Sequence, residues 1–175
     1  EVWVAGSSVT QGYLGRPELT EEVFRARLAD TGEGPFLRTG DMGFLWESEL
    51  YLTGRRKDVI ILRGRNHYPQ DIEQSAERAH ATVRPGCVNA FSVDDEGEER
   101  LVVVAETAPG ANLAETAAAI ALRISDEHEL QVHRVVFLAP KSLPKTSSGK
   151  LQRRQCRTEL AAGTLPVTGA FSGAE

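Results

Sequence analysis

Short blocks of β-branched and aliphatic residues, separated by polar stretches, run through the second half of the chain, and such blocks are typical of strands. They predict strands at residues 59–62, 87–93, 100–106 and 132–138. Pro69 and the acidic residues after it suit a first helical turn, and the stretch that starts at Asn112 or Ala111 is rich in Ala and Leu. The predicted helices are residues 69–80, 112–128 and 151–162.

Polar clusters separate these elements. Residues 83–86 are predicted to form a turn, and the acidic run 94–99 a solvated hairpin loop, longer than the tightest type. Residues 139–150 form a loop rich in Pro, Ser and Gly. The order β-β-α-β-β-α-β-α after residue 54 predicts a small α+β domain with helices on a sheet.

The first part of the chain has a different pattern. Residues 1–5 predict a strand, Pro17 begins a helix, and residues 36–53 predict the short strands of a meander. The charged run 54–58 interrupts the pattern, so we place a domain boundary there. Because the chain opens inside a strand and without Met, we expect it to be a piece of a longer protein.

Composition narrows the function. The 175 residues are 41% hydrophobic and 26% charged, as in a soluble globular protein. A net charge of -5 disfavours nucleic-acid binding, and no apolar run is long enough to span a bilayer. Cys87 and Cys156 cannot form a disulfide framework, which favours a reducing compartment, the cytoplasm. The histidines lack zinc-type spacing, so no metal site is expected in this chain.

The segment LPKTSSGK, ending at Lys150, is the first candidate for chemistry. Small hydroxyl residues and a glycine precede the lysine, but Pro144 and Leu151 stand where a P-loop needs Gly and Ser or Thr, so we exclude a P-loop. A loop that delivers one cation to an anionic group remains, because lysine is a point charge on a long flexible stem. The alternative is an ordinary basic surface loop.

Two further motifs are candidates for binding. Asp41 lies between Gly40 and Gly43, where a ligand can approach the backbone closely, and a carboxylate can accept hydrogen bonds from both ribose hydroxyls. An aspartate that bonds its own turn is the alternative. In residues 54–73, five basic side chains bracket one apolar strand and suit phosphate or carboxylate, with a solvated hairpin as the alternative.

Taken together and in this order, the motifs resemble the adenylate-forming superfamily of acyl-CoA synthetases, adenylation domains and luciferases. Residues 1–17 resemble a strand and turn near the end of that family's large domain, and FLRTGD at 36–41 its ribose-binding motif. Residues 54–73 resemble the hinge and first hairpin of its small domain, and PKTSSGK at 144–150 its catalytic-lysine loop.

The resemblance covers almost the whole chain and implies a division of it. Residues 1–53 would be the tail of the large adenylation domain, residues 54–57 the hinge, and residues 58–175 the small C-terminal lid domain. Lys57, with Asp58 beside it, would be the point about which the lid turns.

Within the superfamily, RGRNHYPQDIE at 63–73 is similar to fatty acyl-AMP ligases, and so is the basic tail at 152–157. Coenzyme A ligases usually carry a different sequence after this glycine. The resemblance implies an enzyme that activates a fatty acid with ATP and hands the acyl group to the thiol of an acyl carrier protein. Such enzymes commonly serve polyketide, nonribosomal peptide or lipid assembly.

The resemblance also implies roles for single residues. Lys150 would be catalytic and approach the carboxylate and the α-phosphate, while Asp41 and Arg55 would contact the adenosine ribose. After the lid turns, a hairpin face would replace Lys150 in the transfer to the carrier-protein thiol. That face consists of Arg63, Gly64, Arg65 and Asn66.

ATP and Mg²⁺ are the cofactors that the resemblance implies, but the family's phosphate loop and acyl tunnel lie in an upstream part of the large domain that this sequence lacks. We therefore expect the chain alone to be inactive. Two alternatives stay open. One is a fragment of an acyl-CoA ligase or amino-acid adenylation domain. The other is a non-catalytic module that docks an acidic carrier protein through Arg63, Arg65, Arg153 and Arg154.

Overall fold

The computed structural model describes residues 1–173 of the chain. Its contacts separate a first unit, Glu1–Lys57, from a second unit that begins at Asp58. The last two residues of the expected lid segment, 58–175, lie outside the described residues. None of the helices within residues 1–173 is both long enough and apolar enough to cross a membrane.

The first unit consists of short strands, paired two by two, and one helix. Its elements are β1 (Trp3–Val4), α1 (Pro17–Phe24), β2 (Leu37–Arg38), β3 (Asp41–Trp46) and β4 (Glu49–Arg55). β1 pairs with β2 and β3 pairs with β4, both antiparallel. The expected first strand and the helix from Pro17 are confirmed. Short strands do occupy 36–53, but they do not form a meander, because β2 pairs with β1 and only β3 and β4 form a hairpin. The charged break begins slightly later than expected, as a 3₁₀ turn at Arg56–Asp58.

The β3–β4 hairpin exposes an unusual set of large apolar side chains. These are Phe44, Leu45, Trp46, Leu50, Tyr51 and Leu52. The rings of Phe44 and Tyr51 stack, with their centroids 5.4 Å apart. Single exposed apolar residues are ordinary, but six on one short hairpin, divided between its two faces, are typical of an element that contacts other protein.

The second unit is built on one four-stranded sheet with a separate small hairpin. Its elements are β5 (Ile60–Leu62), β6 (Arg65–His67), α2 (Pro69–Ala79), β7 (Val83–Asp95), β8 (Glu98–Thr107), α3 (Leu113–His128), β9 (Val132–Leu138), α4 (Arg153–Ala161) and β10 (Val167–Ser172). The sheet order is β10-β9-β8-β7. β8 and β9 are parallel and joined through α3, while the other neighbours are antiparallel. The expected α+β class is confirmed.

Helices cover both faces of this sheet. Val103 and Val104 are adjacent on β8 and therefore point to opposite faces, and both are fully buried. On one face, Ile72 of α2 and Ile120 of α3 belong to the same cluster as Val103. On the other face, Cys156 of α4 belongs to the cluster of Val104. Each buried aliphatic side chain of this size contributes about 1.5–3 kcal/mol to folding.

Both ends of β7 differ from the sequence prediction. The expected turn at 83–86 is wrong, because Val83 already pairs with Thr107 before the register shifts. The expected solvated hairpin at 94–99 is present, but its expected length is wrong. It is a two-residue turn at Glu96 and Gly97, whose φ angles of 55° and 86° match the tightest hairpin type.

β10 was missed by the sequence analysis. Its sequence, VTGAFS, contains two small residues and no continuous apolar block. It forms a strand because it pairs with the edge of β9 that faces away from β8. In this pairing Val167 lies opposite Leu138 and Ser172 lies opposite Arg134. The pairing partner, and not the local sequence, determines this element.

A buried ion cluster holds the free edge of β7. Arg153 donates through Nε and Nη2 to the two carboxylate oxygens of Glu73, each at 2.6 Å, and through Nη1 to Asp58 Oδ2 at 3.2 Å. Glu73 Oε1 also accepts the backbone N–H of Ala90 on β7 at 3.0 Å. The hydrogen bonds to Glu73 raise the pKa of Arg153, although burial opposes them. The cluster joins α2, α4 and the edge strand, and it occupies an edge N–H that would otherwise be open.

We expect Arg153→Met to lower the free energy of unfolding by about 3–5 kcal/mol, because Glu73 and Asp58 would lose their cation in a buried place. Urea unfolding followed by circular dichroism measures the change. Arg154→Met is the matched control, since Arg154 is the exposed neighbour on the same helix and should cost less than about 0.5 kcal/mol. Equal losses in the two variants would contradict the assignment.

Candidate functional site

Asp41 and Arg55, both expected to bind the nucleotide, lie opposite each other on β3 and β4. Arg55 Nε is 3.3 Å from Asp41 Oδ1, and the Asp41 side chain keeps 35% of its surface exposed. The carboxylate therefore contacts a cation on the facing strand and still meets solvent. This arrangement leaves Asp41 able to accept further hydrogen bonds from a ligand.

Backbone contacts fix the position of Asp41. Thr39 Oγ1 donates to the carbonyl of Val2 at 2.7 Å and accepts the N–H of Asp41 at 3.0 Å. The N–H of Val2 donates to the carbonyl of Asp41 at 2.7 Å. On the other side of Asp41, the N–H of Arg56 donates to the carbonyl of Gly40 at 2.8 Å. Thr39 lies inside the motif but is not among the predicted site residues, because its role depends on a strand far away in the chain.

Two of the basic residues near this site have structural partners. Arg38 donates to Glu1 Oε2 at 2.9 Å, and Arg56 Nη1 lies 3.7 Å from the same oxygen. Arg38 also lies over the ring of Trp3, 5.6 Å from its centroid. Burial would raise the pKa of Glu1, but the hydrogen bonds from Trp3 and Arg38 lower it by more. Arg38 is thus committed to Glu1, and Arg56 makes a longer contact with the same carboxylate, whereas Arg55 pairs with Asp41 while 70% of its side chain stays exposed.

Lys150 lies in a tight turn of the second unit. Lys145 pairs with Leu151 as an isolated antiparallel bridge. Within the turn, the N–H of Thr146 donates to the carbonyl of Lys150 at 2.8 Å, and the N–H of Lys150 donates to Thr146 Oγ1 at 3.0 Å. Gly149 has a φ of 80°, which glycine adopts without strain. The Lys150 side chain is exposed and forms no ion pair within residues 1–173.

The base of this loop is attached to Glu106, near the end of β8. Glu106 is 1% exposed. Its Oε1 accepts the N–H of Leu143 at 2.8 Å, and its Oε2 accepts the N–H of Lys141 at 2.8 Å. The guanidinium of Arg84, on β7, also donates to Oε2. Burial would raise the pKa of Glu106, but these hydrogen bonds and the charge of Arg84 outweigh it, so the pKa lies below its ordinary value.

Glu106 is not among the site residues that the sequence motifs predict. A signal was present, because this glutamate stands within the apolar block LVVVAET, where a charged residue is costly unless it is fully paired. Its partners lie 22 or more positions away in sequence, so the block alone does not name them.

The two expected hinge residues have different surroundings. Lys57 is exposed and ends the first unit, whereas Asp58 begins the second and is bound by Arg153. The same contact corrects the suggestion that Arg153 belongs to a carrier-docking surface. Its guanidinium is directed at Glu73 and Asp58, and only 20% of its side chain is exposed. The neighbouring Arg154 remains exposed.

The expected transfer face forms the end of the β5–β6 hairpin, and all four of its residues are exposed. Arg63 and Gly64 are the two turn residues, with φ angles of 49° and 75°. Arg65 Nη1 donates to Glu129 Oε2 at 3.0 Å, whereas Arg63 forms no ion pair among the described residues. The hairpin therefore presents one unpaired guanidinium at its tip, with Asn66 next to Arg65 on the following strand.

Two other kinds of chemistry to consider are metal binding and a nucleophilic cysteine. Within residues 1–173, no three His, Cys, Asp or Glu side chains are grouped so that they could hold a metal ion. Cys87 and Cys156 are free and buried. Burial raises the pKa of Cys156 to about 11, so its sulfur stays a thiol at neutral pH and is a poor nucleophile.

Comparison with known proteins identifies related chains. Residues 57–169 match the family model of the Disco-interacting protein 2-like AMP domain. The medium-chain-fatty-acid–[acyl-carrier-protein] ligase JamA of Moorena producens is 50% identical over 169 residues, covering 94% of this chain and 28% of that protein. The long-chain-fatty-acid–AMP ligase FadD32 of Mycolicibacterium smegmatis is 37% identical over 202 residues, covering 94% of this chain and 31% of the relative.

A solved structure agrees with these relatives. A fatty acyl-adenylate ligase structure, from a study of the E. coli and L. pneumophila enzymes, superposes with a TM-score of 0.70 at 34% identity. The match covers 90% of this chain and 28% of that one. The chain thus spans less than a third of the length of these relatives.

We expect the stabilisation by Glu106 to depend on pH. Its pKa is lowered on folding from an ordinary value of 4.5, so its contribution is complete above about pH 4.5 and is lost as the pH falls below that value towards the folded pKa. We therefore expect the difference in the free energy of unfolding between wild type and Glu106→Gln to become smaller in acid. Urea unfolding at a series of pH values from pH 7 to pH 3 measures it. Glu99→Gln, at an exposed position with no ion pair among the described residues, should follow wild type throughout. A gap that stays constant with pH would contradict the prediction.

Proposed function

Since the chain belongs to the Disco-interacting protein 2-like AMP-domain family, we propose that it is the C-terminal, lid-bearing portion of a fatty acyl-AMP ligase. In this reaction a fatty acid and ATP give an acyl-adenylate and pyrophosphate. The thiol of an acyl carrier protein then takes the acyl group, and AMP is released. The observation that carries the proposal is the ordered turn that exposes Lys150 without a counter-ion among the described residues.

The chemistry of the first step explains why a free lysine is needed. A carboxylate that attacks the α-phosphate of ATP meets like charge, and the phosphorus centre accumulates more negative charge as the bond forms. A cation fixed at that place stabilises the transition state more than the ground state. Because Lys150 has no ion pair to break, its ammonium is available for this purpose.

Asp41 and Arg55 are proposed to hold the ribose. The Asp41 carboxylate is partly exposed on a backbone fixed by Thr39, and so it can accept hydrogen bonds from ribose hydroxyls. ATP is the substrate nucleotide in this proposal, and Mg²⁺ would accompany its phosphates. The described residues contain no group of metal ligands, so we assign no Mg²⁺ ligand to this chain.

Lys57 is proposed as the pivot of the lid. The chain passes from one unit to the other there, and Asp58 on the far side is tied to the body of the lid by Arg153. In this proposal residues 1–53 are the tail of the large domain, residues 54–57 the hinge and residues 58–175 the lid. The exposed apolar hairpin of the first unit would contact the remainder of the large domain.

A turn of the lid would exchange Lys150 for the β5–β6 hairpin in the second step. Arg63, Gly64, Arg65 and Asn66 are proposed to form the surface used in transfer to the carrier protein, with Arg63 as its unpaired cation. The similarity to JamA, whose name gives an acyl carrier protein as acceptor, supports this choice over coenzyme A. A cytoplasmic location belongs to the same proposal, consistent with two thiols that remain free.

We expect a chimera, in which this chain replaces the matching segment of JamA, to form acyl-adenylate and acyl-carrier protein. The reaction would contain a medium-chain fatty acid, MgATP, holo acyl carrier protein and free coenzyme A, with products read by mass spectrometry. The isolated chain is the control and should form neither product. Abundant acyl-CoA would contradict the choice of acceptor, and the absence of adenylate with any chain length would contradict the proposed function.

In the same chimera, Lys150→Ala should slow acyl-adenylate formation by about 10²–10³-fold, because the transition-state charge loses its cation. Acyl transfer from preformed adenylate to the carrier protein should change little, since Lys150 is absent from that step. Rapid-quench measurement of the two half-reactions separates them. Arg157→Ala removes an exposed cation from α4 and should leave both rates unchanged. Equal slowing of both half-reactions by Lys150→Ala would contradict its role.

A further inference from the structure

We propose that Glu106 is a positioning residue for Lys150, a buried carboxylate that fixes the lysine-bearing loop to the sheet. The inference rests on the proposed function of Lys150. It concerns a residue that lies within β8, outside the motif LPKTSSGK and 44 positions before Lys150. Glu106 acts through the backbone of the loop and does not itself face the reacting groups.

The surroundings of Glu106 show that its charge serves the loop. It is 1% exposed in an otherwise apolar strand, a place where an unpaired carboxylate is strongly unfavourable. Both oxygens accept backbone N–H groups from the loop, from Leu143 and from Lys141, and Arg84 donates to one of them. Lys141 has a φ of 67°. The loop bends there, so that the N–H groups of Lys141 and Leu143 both point at the carboxylate of Glu106.

A short series of contacts leads from this carboxylate to Lys150. Leu143, whose N–H is held, is followed by Pro144, whose carbonyl accepts the N–H of Gln152 at 3.0 Å. Between Pro144 and Gln152 the chain makes the turn in which Thr146 and Lys150 bond to each other. The hydrogen bond that holds Leu143 therefore also holds the two short antiparallel segments, at Pro144–Lys145 and Leu151–Gln152, that flank the turn with Lys150.

The far end of the turn is held as well. Gln152 is followed by Arg153, which is bound to Glu73. Two buried carboxylates, Glu106 and Glu73, thus hold the segment 141–153, one at each end. The backbone of Lys150 is held in place while its side chain stays exposed. This combination suits a residue that must reach a reacting group, because displacement by about 1 Å can cost about 10²-fold in rate.

Hydrogen exchange on the 175-residue chain tests the coupling without any enzyme activity. Glu106→Gln should speed exchange of the Thr146, Gly149 and Gln152 amides by about tenfold or more relative to amides of α3. Val103→Ala is the matched control: it weakens the opposite face of the same strand, against which α3 packs, and should therefore not raise that ratio. If Glu106→Gln does not fold, Glu106→Asp takes its place. It keeps the charge, but it is shorter by one methylene and should lose one of the two loop bonds. An unchanged ratio in the folded variant would overturn the proposal.

The chimera with JamA tests the consequence for the reaction. Glu106→Gln should slow acyl-adenylate formation by about tenfold or more and leave acyl transfer from preformed adenylate within about twofold. Val103→Ala should not separate the two half-reactions. If Glu106→Gln slows both half-reactions equally, Glu106 supports the fold alone and the proposal is wrong. If the unaltered chimera forms no adenylate, the proposed function fails, and the exchange experiment still decides whether Glu106 holds the loop.

Discussion

The second unit depends most on the bond between Arg153 and Glu73. Cys156 is the one buried residue of α4 among those described, so this helix has little apolar surface with which to dock. A bidentate pair of Arg with a carboxylate supplies both direction and strength where apolar contact is small. Because Glu73 also accepts the N–H of Ala90, the same pair occupies one N–H on the open edge of the sheet.

This arrangement separates cations that hold the fold from cations that remain free to act. Arg153 and Arg84 are committed to buried carboxylates, and Arg38 to Glu1. Lys150 and Arg63 are exposed and unpaired among the described residues. Arginine is suited to the first purpose, since its planar fork matches a carboxylate, and lysine to delivering a point charge. Counting basic residues in the motifs does not reveal this division, as the correction at Arg153 shows.

In the proposed reaction, the candidate residues are divided between the two units. The ribose-binding candidates Asp41 and Arg55 belong to the first unit, and Lys150 and the β5–β6 hairpin to the second. The backbone of one candidate residue in each unit is held by a nearby threonine hydroxyl. Thr39 accepts the N–H of Asp41, and Thr146 accepts the N–H of Lys150. In the proposed reaction, a connection at Lys57 would allow each set to keep its own geometry while the lid turns between the two half-reactions.

The sequence by itself determined most of the elements and the motif positions. The apolar block at 132–138, the helix start at Pro69 and the helix start at Asn112 were correctly assigned because they depend on local propensity and capping. The tertiary structure decided β10, the early start of β7, the anchor at Glu106 and the partner of Arg153. These depend on residues far apart in the chain, 22 positions for Arg84 and Glu106 and 80 for Glu73 and Arg153. A buried charge is visible in a sequence as an exception to the apolar pattern, but the group that neutralises it is chosen only when the chain folds, because pairing requires contact in space.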